Sequence, residues 1–242
     1  MKTFIAVPSM DLAPMLFTDS LAMLEKEGET VLGNERSSLI YSARNNLATM
    51  AVEKEADRIL WLDSDMVFPS GTLIHMQKVL DELGKKAILT GAYFRRTPPY
   101  SPVLYKKLDF DEKGNAIWED VTEIPDEIFE VEACGFGCVL APTAAFVEVS
   151  HEYGEMFNPI RGTGEDLSFC WRARQLGYKI FCDPRINLGH VTQMMITRRD
   201  WEYYRAVKEA EKNARNTDTD TDTGADQGAG LIQNKTFAQN IH

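Results

Sequence analysis

Long apolar runs are absent from this chain: no stretch of about 18 consecutive apolar residues occurs, which argues against a membrane-spanning helix. The opening segment, MKTFIAVPSMDLAPMLF, carries a single Lys and has Pro8 inside its apolar part, so it lacks the charged start and long apolar core of an export signal. A soluble, cytoplasmic protein is the expectation. Positive charge is also scarce. Against 37 Asp and Glu stand 26 Lys and Arg, a net charge of -11. Like charges repel at long range, so this balance argues against nonspecific binding of polyanions and leaves nucleic acid only a local basic cleft. Cysteine is sparse as well, at four residues, Cys134, Cys138, Cys170 and Cys182. In a chain without an export signal these read as reduced, buried thiols. Cys134 and Cys138 approach the spacing of a zinc half-site, but Cys170 and Cys182 do not repeat it, and zinc is set aside.

What is present is alternation. An apolar, strand-favouring run at 3–7 leads through a Pro-Ser loop to a helical pattern over 13–27 that stops at Gly28. The sequence then predicts a strand at 30–34 and a helix over 38–55, with Leu39, Ala43, Leu47, Met50 and Ala51 on one face. RILWL at 58–62 reads as a third strand, 70–83 as a helix carrying Leu73, Met76 and Leu80, and AILTGAYF at 87–94 as a fourth strand. Strands alternating with helices imply an α/β fold, a mainly parallel sheet with helices on both faces. The pattern changes after Gly91 into loops and short antiparallel strands, an insertion, before EVEACGFGCVLAP returns at 130–142 as extended chain and TAAFVEV as a short helix. Gly164 precedes a further helix, Gly177 suits its C-terminal cap, YKIFC follows as a strand, and WEYYRAVKEAEKNAR forms a last helix.

The length suits one domain, over 1–212, followed at 213–242 by an acidic, Thr- and Gly-rich tail with too little apolar surface to fold. Within the tail, Asp218, Asp220 and Asp222 imitate a calcium loop. Its glycine comes one place late and Ala229 stands where a glutamate is needed. A solvated tail is the reading.

In RILWLDSDMVFPSG, two carboxylates fall where the third strand should end, and ligands of open α/β sheets bind beyond the carboxyl ends of strands. Asp63 and Asp65 repel each other there unless a cation or a set of donors neutralises them. A helix cap beside a solvated turn is the plainer explanation for such a pair. Glu165 and Asp166 open a later helix, whose N-terminal dipole favours ionised carboxylates and whose acid could take a proton from a hydroxyl. His190 follows Gly189 soon after a strand, and imidazole with carboxylate suits manganese-like ions.

The ordered set Asp63-Ser64-Asp65, Gly164-Glu165-Asp166 and Gly189-His190 resembles the GT-A fold glycosyltransferases over roughly residues 3–195. The likeness is to the large inverting family that includes chitin and cellulose synthases, and also to the β-galactosyltransferases. The stretch GEDLSFCWRARQLGYKIFCDPRINLGH looks like that family's acceptor-side helix. The resemblance implies a nucleotide-sugar donor carrying UDP or GDP, a carbohydrate or other hydroxyl-bearing acceptor, and a divalent metal, Mn2+ or Mg2+. Asp63 would lie near ribose and metal, Asp65 and His190 would ligate the metal, and Pro8, Ser9 and Arg44 would line the nucleotide side. Asp166 would be the base that deprotonates the acceptor in an inverting reaction, with Glu165 binding acceptor or sugar. Gly135, Phe136, Gly137 and Trp171 would line the acceptor pocket or serve as core. The base-reading aspartate that many members place before the Asp63 strand has no counterpart here.

Two rivals share the fold. A nucleotidyltransferase also pairs acids with a metal but carries a Gly-rich basic loop after its first strand, which AVPSMDLAP lacks. A catalytically silent carbohydrate-binding or structural module would be free to lose Asp65, Asp166 and His190. All three are retained.

Overall fold

The first strand, β1 (Lys2–Ser9), is followed by α1 (Met15–Met23), β2 (Glu29–Arg36), α2 (Ile40–Glu53) and β3 (Arg58–Leu62). A two-residue β4 (Met66–Val67), α3 (Thr72–Leu83) and β5 (Ala87–Gly91) complete the alternating half. The second half contains β6 (Leu104–Phe110), β7 (Ala116–Asp120), β8 (Phe129–Val131), β9 (Ala133–Cys134), β10 (Cys138–Pro142), α4 (Thr143–Tyr153), α5 (Glu165–Gln175), β11 (Lys179–Asp183) and β12 (Gly189–His190). The computed structural model describes residues 1–10, 12–193, 198, 201–203 and 205–210. The chain divides into Met1–Thr192 and Gln193–His242. In the second unit, residues 201–203 and 205–210 are helical, within the helix expected there. The tail at 213–242, with its imitation calcium loop, lies outside the described residues.

A seven-stranded sheet in the order β2-β1-β3-β10-β5-β11-β8 forms the centre. β1 pairs in parallel with β2 and β3, and β5 with β11, while β10 and β8 run antiparallel to their neighbours. The sheet is therefore mixed and mainly parallel, with helices on both faces. Its central strands are apolar throughout because both faces are covered. Ile59 and Trp61 of β3 face α2, α4 and α5, whereas Leu60 and Leu62 face α1 and α3.

Several boundaries move for tertiary reasons. α1 ends at Met23 rather than at Gly28, because the backbone amide of Glu25 turns away to the carbonyl of Ser70. Leu39 precedes α2 and is exposed; Arg44 takes a buried place on that helix instead. The fourth strand stops at Gly91, where a Cβ would come within 2.5 Å of Leu188 Cδ1, and Tyr93 leaves to accept from the amide of Val103 at 2.9 Å. All four cysteines are buried and free, as their composition suggested.

The insertion decides what lies over the sheet's edge. β5 delivers the chain to the carboxyl end of the strands, and β10 starts from that same end, with Cys138 opposite Leu62. Everything between Ala92 and Gly137 therefore returns to the edge it left. β6, β7 and β9 form a separate antiparallel sheet there. α5 reaches the same edge, since its C-terminus must lead into β11, which runs parallel to β5.

Candidate functional site

Asp63 is the first residue past β3, and its amide donates to the carbonyl of Gly137 at 3.0 Å, which pins the start of the turn. Arg44, 2% exposed on α2, reaches up from the core to meet it. The guanidinium Nη2 donates to Asp63 Oδ1 at 2.8 Å and Nε donates to Glu165 Oε1 at 3.2 Å. One arginine thus joins the end of β3 to the start of α5. Burial pushes the Asp63 carboxyl up, and Arg44 opposes but does not cancel that effect. Burial also works against the charge of Arg44, yet Asp63, Glu165 and Asp166 outweigh it and keep the guanidinium protonated.

Asp65 and His190 are 125 positions apart in sequence and meet through strand pairing. β12 lies antiparallel to β4, with His190 opposite Met66, and the amide of Val191 donates to the carbonyl of Asp65 at 2.8 Å. His190 Nε2 stands 3.4 Å from Asp65 Oδ2. Its Nδ1 lies 2.8 Å from the carbonyl oxygen of Phe94. A carbonyl only accepts, so Nδ1 carries the proton and Nε2 is directed at the carboxylate. The hydrogen bond that Asp65 accepts from the protonated imidazole raises the His190 pKa against the effect of burial. For Asp65, burial alone would raise the pKa; His190 and Arg96 outweigh it and hold the group below its ordinary value.

Two acceptors cannot face each other without a cation between them, which here is either a proton on Nε2 or a metal ion. A carboxylate oxygen and an imidazole held by a backbone carbonyl are a pair of ligands that suits Mn2+ better than Mg2+, which prefers oxygen donors alone. Asp63 is engaged by Arg44, and among the described residues no cluster of three or more His, Cys, Asp or Glu side chains is placed to hold a metal. The protein would contribute two ligands, leaving the others to substrate and water.

Asp166 sits beside Glu165 in the first turn of α5, but among the described residues no cation forms an ion pair with it, and Arg44 favours its anion only from a distance; its Oδ1 accepts from the adjacent Leu167 amide at 2.8 Å. Burial, and then the charge of Glu165, push its carboxyl up to about 6. Gly164 permits this conformation, because a Cβ there would come within 2.8 Å of Asp166 Oδ1.

Ser9 stands at the end of β1 and, with Val7, Leu12, Ala13, Phe17, Leu21, Leu32, Asn34 and Ser64, lines a cavity of about 220 Å³. Pro8 is buried next to it in β1. Ser64 belongs to the Asp63–Asp65 turn, so cavity and carboxylates are contiguous. Phe136 is 1% exposed and packs edge-on against Trp61, Phe157 and Phe169 beneath Arg44. Gly135 and Gly137 make room for Tyr93, whose hydroxyl would lie 1.9 Å from a Cβ at Gly135 and accepts from the Gly137 amide at 3.3 Å. Trp171 is half-buried between Phe110 and Tyr153. In the structure these four positions pack the floor and flank of the site.

Two residues of the site escape a reading of the sequence alone. Tyr93 is buried under it with a phenol pushed well above its ordinary value, first by burial and then by Asp63 and Asp166. Arg96 donates from Nη1 to Asp65 Oδ2 at 2.8 Å. The available signal was Arg95-Arg96 directly after a strand's carboxyl end in an otherwise acidic chain.

No family model matches the sequence, and no curated protein matches it. The structure is similar to the crystal structure of A197 from STIV, with a TM-score of 0.60 and 21% identity over 80% of this chain and 87% of that one. A weaker likeness, TM-score 0.44 and 16% identity over 75% of this chain, is to S. aureus TarS 1-349, of which the chain spans 58%. The first shows a shared fold, a mixed α/β arrangement of the GT-A-like kind.

Proposed function

We propose that this chain is a metal-dependent glycosyltransferase that moves a sugar from a nucleoside-diphosphate donor to an acceptor hydroxyl with inversion. The observation that carries the proposal is convergence: Asp65 with His190, and an unpaired Asp166, come from three distant segments to one sheet edge beside a cavity. The cavity, apolar but for Ser9, Asn34 and Ser64, suits the base and ribose of UDP or GDP. Asp65 and His190 would hold Mn2+ or Mg2+, which when bound supplies positive charge at the departing diphosphate.

Asp166 would accept the proton of the acceptor hydroxyl as that oxygen bonds to the anomeric carbon. The carbon–oxygen bond to the diphosphate breaks at the same time, and its electron pair leaves with the nucleoside diphosphate. Attack opposite the leaving group inverts the anomeric centre and needs no sugar–enzyme bond. A carboxylate with a pKa near 6 is a stronger base than an ordinary aspartate yet still ionised at neutral pH. Glu165, held by Arg44, is better suited to fixing a sugar hydroxyl than to taking a proton.

Thermal shifts and nucleotide-sugar hydrolysis test the reading, using UDP and GDP with and without Mn2+ on the wild type and Asp65→Asn. Ligand at a hundred times its Kd should stabilise the wild type by about 2.7 kcal/mol. Asp65→Asn should lose the metal-dependent part. Equal shifts in both proteins would refute the role of Asp65, and a wild type indifferent to every nucleoside diphosphate would end the transferase reading.

A further inference from the structure

A guanidinium and an imidazole converge on one oxygen of Asp65. Arg96 Nη1 donates to Oδ2 at 2.8 Å, and His190 Nε2 lies 3.4 Å from the same atom. The segment that supplies Arg96 also orients the imidazole, since the carbonyl of Phe94 receives His190 Nδ1 at 2.8 Å. That backbone is fixed. Phe94 bridges Pro102, and the amide of Arg95 donates to the carbonyl of Ser101 at 2.9 Å. Arg95 itself is committed elsewhere, to the hydroxyl of Tyr105 at 3.1 Å and to Asp120 at 3.7 Å. Arg96 differs, for its side chain is 52% exposed and reaches Asp65 from the solvent side.

Because the imidazole faces Oδ2, a divalent cation held between His190 and Asp65 as they stand competes for the oxygen that Arg96 contacts. Guanidinium and metal ion repel each other, so both cannot keep it. The arginine is nevertheless cheap to move, because a partly exposed ion pair contributes little to stability. A diphosphate offers it a better partner: a guanidinium presents a planar fork of donors that matches two phosphate oxygens.

We propose that Arg96 is a transferable counter-ion, neutralising Asp65 until a divalent cation takes Asp65 and His190, and then passing to the donor's diphosphate. This rests on the transferase reading above. It makes metal and nucleotide synergistic: the metal alone must displace an arginine, whereas the nucleotide draws that arginine away.

Full-length wild type, Arg96→Ala and Asp65→Asn would be titrated with Mn2+ alone, then with UDP and GDP in the absence and presence of Mn2+, by calorimetry. Arg96→Ala should bind Mn2+ alone about fivefold more tightly, the factor equal to about 1 kcal/mol of removed competition. The same variant should bind the nucleoside diphosphate with Mn2+ about tenfold more weakly, for loss of a charge-assisted contact. Because the side chain is exposed, the variant should still fold, with a melting temperature within a few degrees of the wild type. If Arg96→Ala binds Mn2+ no more tightly than the wild type, or keeps full nucleotide affinity, the counter-ion role is overturned. Wild type that binds metal and nucleotide, with Asp65→Asn losing both, would leave the transferase reading standing in that case. A wild type that binds neither removes the reading and this inference together.

Discussion

Glu165 and Asp166 are adjacent acids in opposite circumstances. Arg44 pairs with the first at 3.2 Å, while the second accepts from a backbone amide and feels Arg44 only at longer range, against burial and the repulsion of Glu165. Burial and that repulsion lift Asp166 from 3.8 to about 6 even though the α5 dipole favours its anion. The folded state therefore holds this proton more tightly than the unfolded state, so its stabilising contribution is present below pH 4 and is lost as pH rises through about 6. Asp166→Asn escapes that loss. The variant should melt like the wild type near pH 4 and be more stable above pH 7, by at most about 3 kcal/mol, while transfer is abolished and nucleotide binding is kept. Transfer by the wild type should rise with pH to a midpoint near 6. Melts at several pH values and a pH–rate profile check both parts, and a variant less stable than the wild type at pH 8 would contradict the unpaired acid.

At the scale of elements, the site depends on how closely the end of β5 approaches the turn between β9 and β10. Tyr93 lies in that gap, edge-on to the ring of His190 with centroids 5.4 Å apart. A methyl at Gly135 would meet the Tyr93 hydroxyl at 1.9 Å, too close for the fixed end of a buried ring to yield. Gly135→Ala should cost about 1–3 kcal/mol in urea denaturation, and adding Tyr93→Phe should recover part of it by deleting the clashing atom. Strictly additive effects would show that the two residues do not interfere. The glycine pattern in the sequence announced a close approach but not its partner, which is why Gly135 and Gly137 read equally as pocket lining or as core. Local signals did carry the elements themselves: RILWL is β3, and Gly164 and Gly177 bracket α5. What stayed hidden was relational. Nothing in CVLAP states that β10 runs antiparallel between β3 and β5, so the return of residues 92–137 to the sheet's edge, bringing Tyr93 and Arg96, had no signature along the chain.

Across the whole molecule, site and core share one arginine. Arg44 rises from α2 over the rings of Trp61, Phe136 and Phe157, whose centroids lie 5.4–6.0 Å from its guanidinium carbon, and ends between Asp63 and Glu165. Its Nη1 is buried without a hydrogen-bond partner among the described residues, an added cost of placing this charge under the site. Replacing it with Met keeps the apolar packing but leaves two carboxylates facing each other at the edge of the core. Asp63 retains some water contact, so the loss should be about 2 kcal/mol rather than the 3–5 of a fully enclosed pair. Neutralising the acids as well, in Arg44→Met with Asp63→Asn and Glu165→Gln, should restore most of that stability, because a charged cluster replaced as a unit leaves nothing unpaired. The triple variant should fold and yet fail to bind nucleoside diphosphate. Recovered stability without recovered binding would mean the cluster is kept for the site; a triple variant as unstable as Arg44→Met would instead place its value in the fold.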